Sequence, residues 1–162
     1  MSGAIRASAI KKTLSGNDTG DTGSHQAGML VPKDERILSF FPTLDKSAKN
    51  PRAIIKVFDD CEESWNFNYI YYNGIFFGGT RNEYRLTGMT SYIRGNNLRP
   101  GDSIILERND DQIRIKYERL EELNQVTDDI GKDLILNEEP VKYAEKPKTR
   151  LVLGSSWKVI KY

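Results

Sequence analysis

Residues Ser64–Gly88, "SWNFNYIYYNGIFFGGTRNEYRLTG", decide the fold class. At the start of the stretch Trp65, Phe67 and Tyr69 alternate with polar residues, the period of a half-buried strand rather than of a helix. Asn73-Gly74 is a tight-turn signal, and "GIFFGG" and "EYRLTG" read as the next two strands. Where the stretch is extended, Arg81, Glu83 and Arg85 fall at i, i+2 and i+4 and share one face. Two guanidiniums flanking a carboxylate make either a solvated salt-bridge ladder or a surface built to read something. Residue types alone leave both open.

Strands also dominate on either side. "RAIIKVFD" (residues 52–59) is a candidate strand, and "SIILER" (103–108) and "QIRIKYER" (112–119) make a hairpin across "NDD". "LRPGD" (98–102) is a turn, and "GMTSYIRGNN" (88–97) suits a short helix stopped at Gly95 or Asn96. Upstream, "AIRASAIKKTL" (4–14) is β-compatible and leads into "SGNDTGDTGSHQAG" (15–28), whose four glycines make it a loop by composition. "MLVP" is a short apolar run. Pro32 fits the first turn of a helix through "KDERILSFF", in which Ile37, Phe40 and Phe41 are helically spaced. Residues 121–149 are acidic and irregular, with Pro140 and Pro147, and read as a surface excursion. "TRLVLGSSWKVIKY" (149–162) is a closing strand or strand pair. Six to eight short strands with two short helices imply a barrel or a sandwich.

The 162 residues suit one domain with a real core, and 38% apolar with 29% charged residues excludes disordered and fibrous classes. The longest apolar runs are too short to span a bilayer, and "MSGAIRASAIKK" lacks the apolar core of a secretory signal. A single cysteine, Cys61, can form no intramolecular disulfide, and its acidic neighbours in "DDCEES" disfavour a thiolate. These features point to the cytoplasm and to no membrane. The net charge of +1 announces no polyanion partner. Residues 1–100 hold 13 Lys and Arg against 10 Asp and Glu, so any such partner must meet a local patch.

No catalytic centre is visible. With one histidine, His25, and one cysteine there is no zinc-ligand pair, and no G-x-S-x-G elbow or phosphate-binding loop is present. Asp102, Glu107 and Lys116 resemble the acid-acid-lysine set of a Mg-dependent nuclease. The lysine, however, belongs two residues after the second acid, where Asn109 stands. Solvated charges on a strand face are the plainer reading. No metal and no cofactor is expected.

Two polar segments remain. Residues 17–26 concentrate Asn, Asp, Thr, Ser, His and Gln on a glycine-rich backbone, and "TRNEYR" (80–85) carries the alternating charges. These side chains belong to the vocabulary that reads base edges in the DNA major groove: Arg for guanine O6 and N7, a carboxylate for cytosine N4, Asn or Gln for adenine. Thr, Ser and backbone N–H groups suit phosphates.

"LSGNDTGDTGSHQAGMLVPK" resembles the first recognition arm of the EcoRII N-terminal effector-binding domains, with Asn-Asp-Thr-Gly, His-Gln-x-Gly and "LVPK" in order. "TRNEYRLTG" is similar to their second arm, and "LVLGSSWKVIKY" to their closing strand. "NLRPGDSIILER" looks like the turn and strand shared with plant B3 domains. The resemblance covers nearly the whole chain and is weakest over residues 121–149. It implies a mainly β fold, a DNA-binding pseudobarrel: an open, about seven-stranded β-barrel with two short α-helices, treated as one domain over residues 1–162. It implies a first arm at 15–28 and a second at 78–87 entering the major groove of double-stranded DNA, with CCWGG as target.

By position, the resemblance implies base contacts from Arg81, Glu83, Arg85, His25 and Asp18. It places Asn17, Thr19, Ser24, Gln26, Thr80, Asn82, Tyr84, Lys11 and Lys12 in backbone-contacting or supporting roles. It further implies a non-catalytic effector module, monomeric in isolation, linked in a bacterial cytoplasmic type II restriction endonuclease to a catalytic nuclease domain. One departure stands out. Gly79 occupies the place of a family lysine. A small nuclease and a β-barrel protein-interaction module are the alternatives.

Overall fold

The computed structural model describes residues 6–20, 28–121 and 156–162, and among these eight strands form one sheet. They are β1 (Ala9–Thr13), β2 (Met29–Val31), β3 (Arg52–Phe58), β4 (Ser64–Tyr72), β5 (Glu83–Thr87), β6 (Ser103–Asn109), β7 (Gln112–Glu118) and β8 (Trp157–Lys161). Their order is β2-β5-β4-β3-β7-β6-β1-β8, antiparallel except for the β3–β7 pair. The two outermost strands meet through a side chain: the Trp157 indole Nε1 donates to the Leu30 carbonyl at 2.9 Å. The sheet is therefore a nearly closed barrel, with one indole bridging the gap between β8 and β2.

Alternation produces the core. Phe67, Tyr69 and Tyr71 of β4 turn inward with Tyr84 and Leu86 of β5, and Ile104 and Leu106 of β6 meet them from across the barrel. Phe41 stacks on Tyr69 at 4.4 Å, and Tyr71 stacks on Tyr84 at 4.3 Å as a directly opposed cross-strand pair. Such aromatic pairs each add about 1 kcal/mol beyond their burial. Phe40 and Phe41 follow the short helix α2 (Glu35–Leu38) and plug the barrel beside Trp157.

Three expectations are corrected. Pro32 lies outside α2, which is N-capped by Asp34 accepting from Arg36 N, so the helix starts three residues later. "GIFFGG" is no strand: Gly74–Phe77 forms a 3₁₀ turn ended by Gly78 at φ 90°. Ser15 to Thr19 is no plain loop. Gly16–Thr19 is a helical turn, α1, with Ser15 and Asp18 forming a reciprocal capping box. With α3 (Thr90–Gly95), stopped at Asn96, the described residues hold three short α-helices where two were expected. No described helix is long and apolar enough to cross a membrane. The excursion at 121–149 lies outside the described residues apart from Glu121.

Asn73 does more than punctuate β4. Fully buried, it donates through Nδ2 to Ala48 O at 2.8 Å and Lys46 O at 3.3 Å and accepts from Asn50 N at 2.7 Å. It thereby pins the loop before β3 to the turn after β4. Asn73→Ala leaves those backbone groups unpaired and should cost about 2 kcal/mol, read as an earlier midpoint in urea. An unchanged midpoint would refute this role.

Candidate functional site

Glu83 and Arg85 project from the outer face of β5, because Tyr84 and Leu86 take the inner one. Arg81 lies just before the strand in the β4–β5 connection, yet its guanidinium returns to the same face. One carboxylate oxygen, Glu83 Oε2, accepts from Arg81 Nη2 at 3.4 Å and, at closer range, from Arg85 Nε. Arg85 Nη1 also donates to the Gly28 carbonyl at 2.9 Å. The Arg81 guanidinium lies 3.8 Å from the Tyr72 ring centroid, a cation–π stack. Among the described residues Glu83 Oε1 carries no partner, so an acceptor stays available. Burial pushes the Glu83 carboxyl up, but hydrogen bonds and charge from Arg85 and then Arg81 outweigh it and hold the group below its ordinary value.

Both described ends of the predicted first arm come to this side of the barrel. α1 forms its root, and Gly28 leads into β2, which pairs with β5 so that Leu30 faces Arg85. Gly28 has φ 90°, and a Cβ there would stand 2.5 Å from Leu86 O and 2.6 Å from Thr87 Cγ2. Only glycine lets the arm return this close to β5. Gly28→Ala should cost at least about 2 kcal/mol by combining left-handed strain with the clash, and thermal melting checks it. His25, Ser24 and Gln26 lie outside the described residues.

Two residues to which the resemblance gives DNA-facing roles are paired with each other. Asp18 and Lys12 form an ion pair at 3.1 Å with side chains only 8% and 9% exposed. Asp18 Oδ2 also accepts from Ser15 N, and Lys12 Nζ donates to Ser156 Oγ. Without DNA, both charges fasten α1 to β1. Lys11 is likewise engaged, with Glu118 at 2.7 Å. Removing one member of a shielded pair strands the other, so Lys12→Ala should destabilise by about 2 kcal/mol while leaving the salt dependence of any DNA binding unchanged. A flattened salt slope at constant stability would instead assign Lys12 to phosphate.

Tyr84 is buried, and Asn82 accepts from Tyr71 OH at 2.7 Å. Thr80 and Asn17 are exposed, and Thr19 bonds back to Gly16 O. Sequence reasoning missed Tyr72, the platform for Arg81. The site of the missing lysine is tight: Gly79 N donates to Gly74 O at 2.7 Å, and a Cβ at Gly79 would approach that oxygen to 3.3 Å. In the alternative nuclease set, both Asp102 oxygens are taken by backbone N–H groups, Oδ2 by Arg99 and Oδ1 by Leu120. Asp102 thus serves the turn before β6. Among the described residues no three His, Cys, Asp or Glu side chains cluster to hold a metal.

A family model described as "Restriction endonuclease EcoRII, N-terminal" matches residues 4–98. The chain is 40% identical over 80 residues to the type II restriction enzyme EcoRII of Escherichia coli, covering 47% of this chain and 19% of that protein. It is 32% identical over 99 residues to auxin response factor 5 of Arabidopsis thaliana, covering 61% of this chain and 10% of that one. It thus spans less than a fifth of either relative. Among solved structures, the Arabidopsis FUS3 chain from a FUS3–DNA complex superposes with a TM-score of 0.53 at 21% identity, over 67% of this chain and 94% of that one. The fold is accordingly the expected B3-like pseudobarrel. With more than half of its residues matched, the chain belongs to the restriction endonuclease EcoRII N-terminal family.

Proposed function

We propose that this protein is a sequence-specific reader of double-stranded DNA that enters the major groove with two arms rooted on one side of the barrel. The observation that carries the proposal is the outward array of Arg81, Glu83 and Arg85, held by ion pairs at the strand where the first arm returns. Each arginine keeps N–H groups free for guanine O6 and N7, and Glu83 Oε1 suits cytosine N4. Ion pairing and the Tyr72 stack fix rotamers that would otherwise lose roughly 2 kcal/mol of entropy per arginine on binding. A low net charge fits a reader that relies on base edges, since few phosphates need be neutralised.

The family relationship supports CCWGG as the target, and a role as the non-catalytic, monomeric effector module of a bacterial cytoplasmic type II restriction endonuclease, covalently linked to its nuclease domain. Selection of bound duplexes from a random pool, followed by gel shifts with CCWGG and its single-base variants, tests the reading. Enrichment of one G·C-flanked site is expected. Equal binding to every duplex would overturn sequence-specific recognition and favour a protein-interaction face.

A further inference from the structure

The 3₁₀ turn before the second arm exposes three large apolar side chains in succession: Ile75, Phe76 and Phe77 are 48%, 68% and 43% exposed. Exposed apolar residues are common singly, but three on one four-residue turn form a feature that water covers poorly. The turn is rigidly attached to the reading array. Ile75 N donates to Arg81 O at 2.9 Å, Gly79 N to Gly74 O at 2.7 Å and Phe76 N to Asn73 O at 3.0 Å. Asn73 is itself buried and triply bonded, so the turn cannot swing away independently of the barrel. Residues 73–82 contain no acid, so nothing in the connection repels a phosphate backbone.

We infer that this turn accompanies Arg81 into the major groove and that Phe76 contacts a thymine C5-methyl group beside the G·C pair read by Arg81. The inference rests on the proposed major-groove reading. Its chemistry is selective: the major-groove edges of the four bases offer polar atoms and a single apolar group, the thymine methyl, with which Phe is a suitable partner. A braced apolar turn joined to a base-reading arginine therefore adds A·T information that Arg81, Glu83 and Arg85 cannot supply. Phe76 is the most exposed of the three and makes the contact; Gly74 and Gly78 bound the turn and keep it narrow.

The test uses the duplex selected from the random pool and replaces each thymine in turn by uracil, which removes only the methyl group. The unaltered protein should lose about three- to tenfold in affinity at one thymine position, the scale expected for one buried methyl in a DNA site. Phe76→Ala should lose a similar factor on the thymine duplex and no longer distinguish thymine from uracil there. Phe76→Leu, which keeps apolar bulk, should retain part of the discrimination. Because Phe76 is exposed, its truncation should leave the melting temperature unchanged, and a melt of each variant verifies this. A protein that selects a specific duplex but is indifferent to every thymine-to-uracil exchange, or a selected site without thymine, overturns the inference and leaves the two-arm reading intact. Methyl discrimination that persists in Phe76→Ala also overturns it. Failure to select any duplex overturns both.

Discussion

Trp157→Ala should lower stability by about 3–5 kcal/mol, the usual range for truncating a buried tryptophan. For a chain of this length that corresponds to roughly 10 °C or more in the melting midpoint. The indole has three roles at once. It is 6% exposed, it meets Phe41 edge-on at 6.3 Å, and its Nε1 bridges β8 to the Leu30 carbonyl of β2. Trp157→Phe separates them: the aromatic volume is largely kept and the bridge is lost, so about 1–2 kcal/mol should suffice. Among the described residues β2 has only three residues and pairs with β5 alone, and the indole ties it to the far edge of the sheet. Hydrogen exchange in Trp157→Phe should accordingly rise in β2 before it rises in β4. Uniform acceleration would show that the indole acts by volume alone.

Most of the sheet was legible because its signals are local. Alternation in Ser64–Tyr72 and in the hairpin of Ser103–Glu118 is set by which face meets the core, and the strands formed there. "GIFF" misled because aromatic and β-branched content describes a pleated, half-buried surface, whereas among the described residues no strand pairs with this segment. The flanking Gly74 and Gly78 were the better guide. The α1 turn was readable too: Ser15-x-x-Asp18 is a capping-box spacing, hidden by the glycine content around it.

The alternation of β1 likewise places Lys12 on the side of Ile10, which is fully buried, so an inward lysine could have been anticipated. Its partner could not. Whether Asp18 turns toward β1 or toward a ligand depends on how the chain folds back after Thr13, and no periodicity encodes that. The contacts of Asn73 were hidden for a similar reason, since its partners are backbone atoms of residues 46–50. At the site itself the alternating pattern correctly grouped Glu83 with Arg85. The tie from Arg85 to the Gly28 carbonyl appears only once β2 pairs with β5.

Glu83→Ala should reduce discrimination from both directions. On the specific duplex the loss should be about 1–3 kcal/mol, or roughly tenfold to over a hundredfold in Kd, the value of one base-reading contact. The carboxylate also holds Arg81 and Arg85 together, and without it two like charges on one face repel and their rotamers disperse. On random-sequence DNA the same substitution should tighten binding, because removing an anion raises the positive field over the face that carries Arg81 and Arg85. Arg81→Ala, by contrast, should weaken both. Glu83→Gln isolates charge from shape, keeping an oxygen for the arginines while losing the anion, and should fall between the parent and Glu83→Ala.

The pH profile gives an independent check on Glu83. Its folded pKa is depressed below 4.5, so its stabilisation is present in full above that value and fades only as pH falls through the folded one. The specificity ratio should therefore be flat in this group from pH 5 to 8. A loss centred near pH 6 would report a histidine instead, and His25 is the only one in the chain. Equal changes in specific and random-sequence affinity on Glu83→Ala would mean that the array is a salt-bridge face and nothing more.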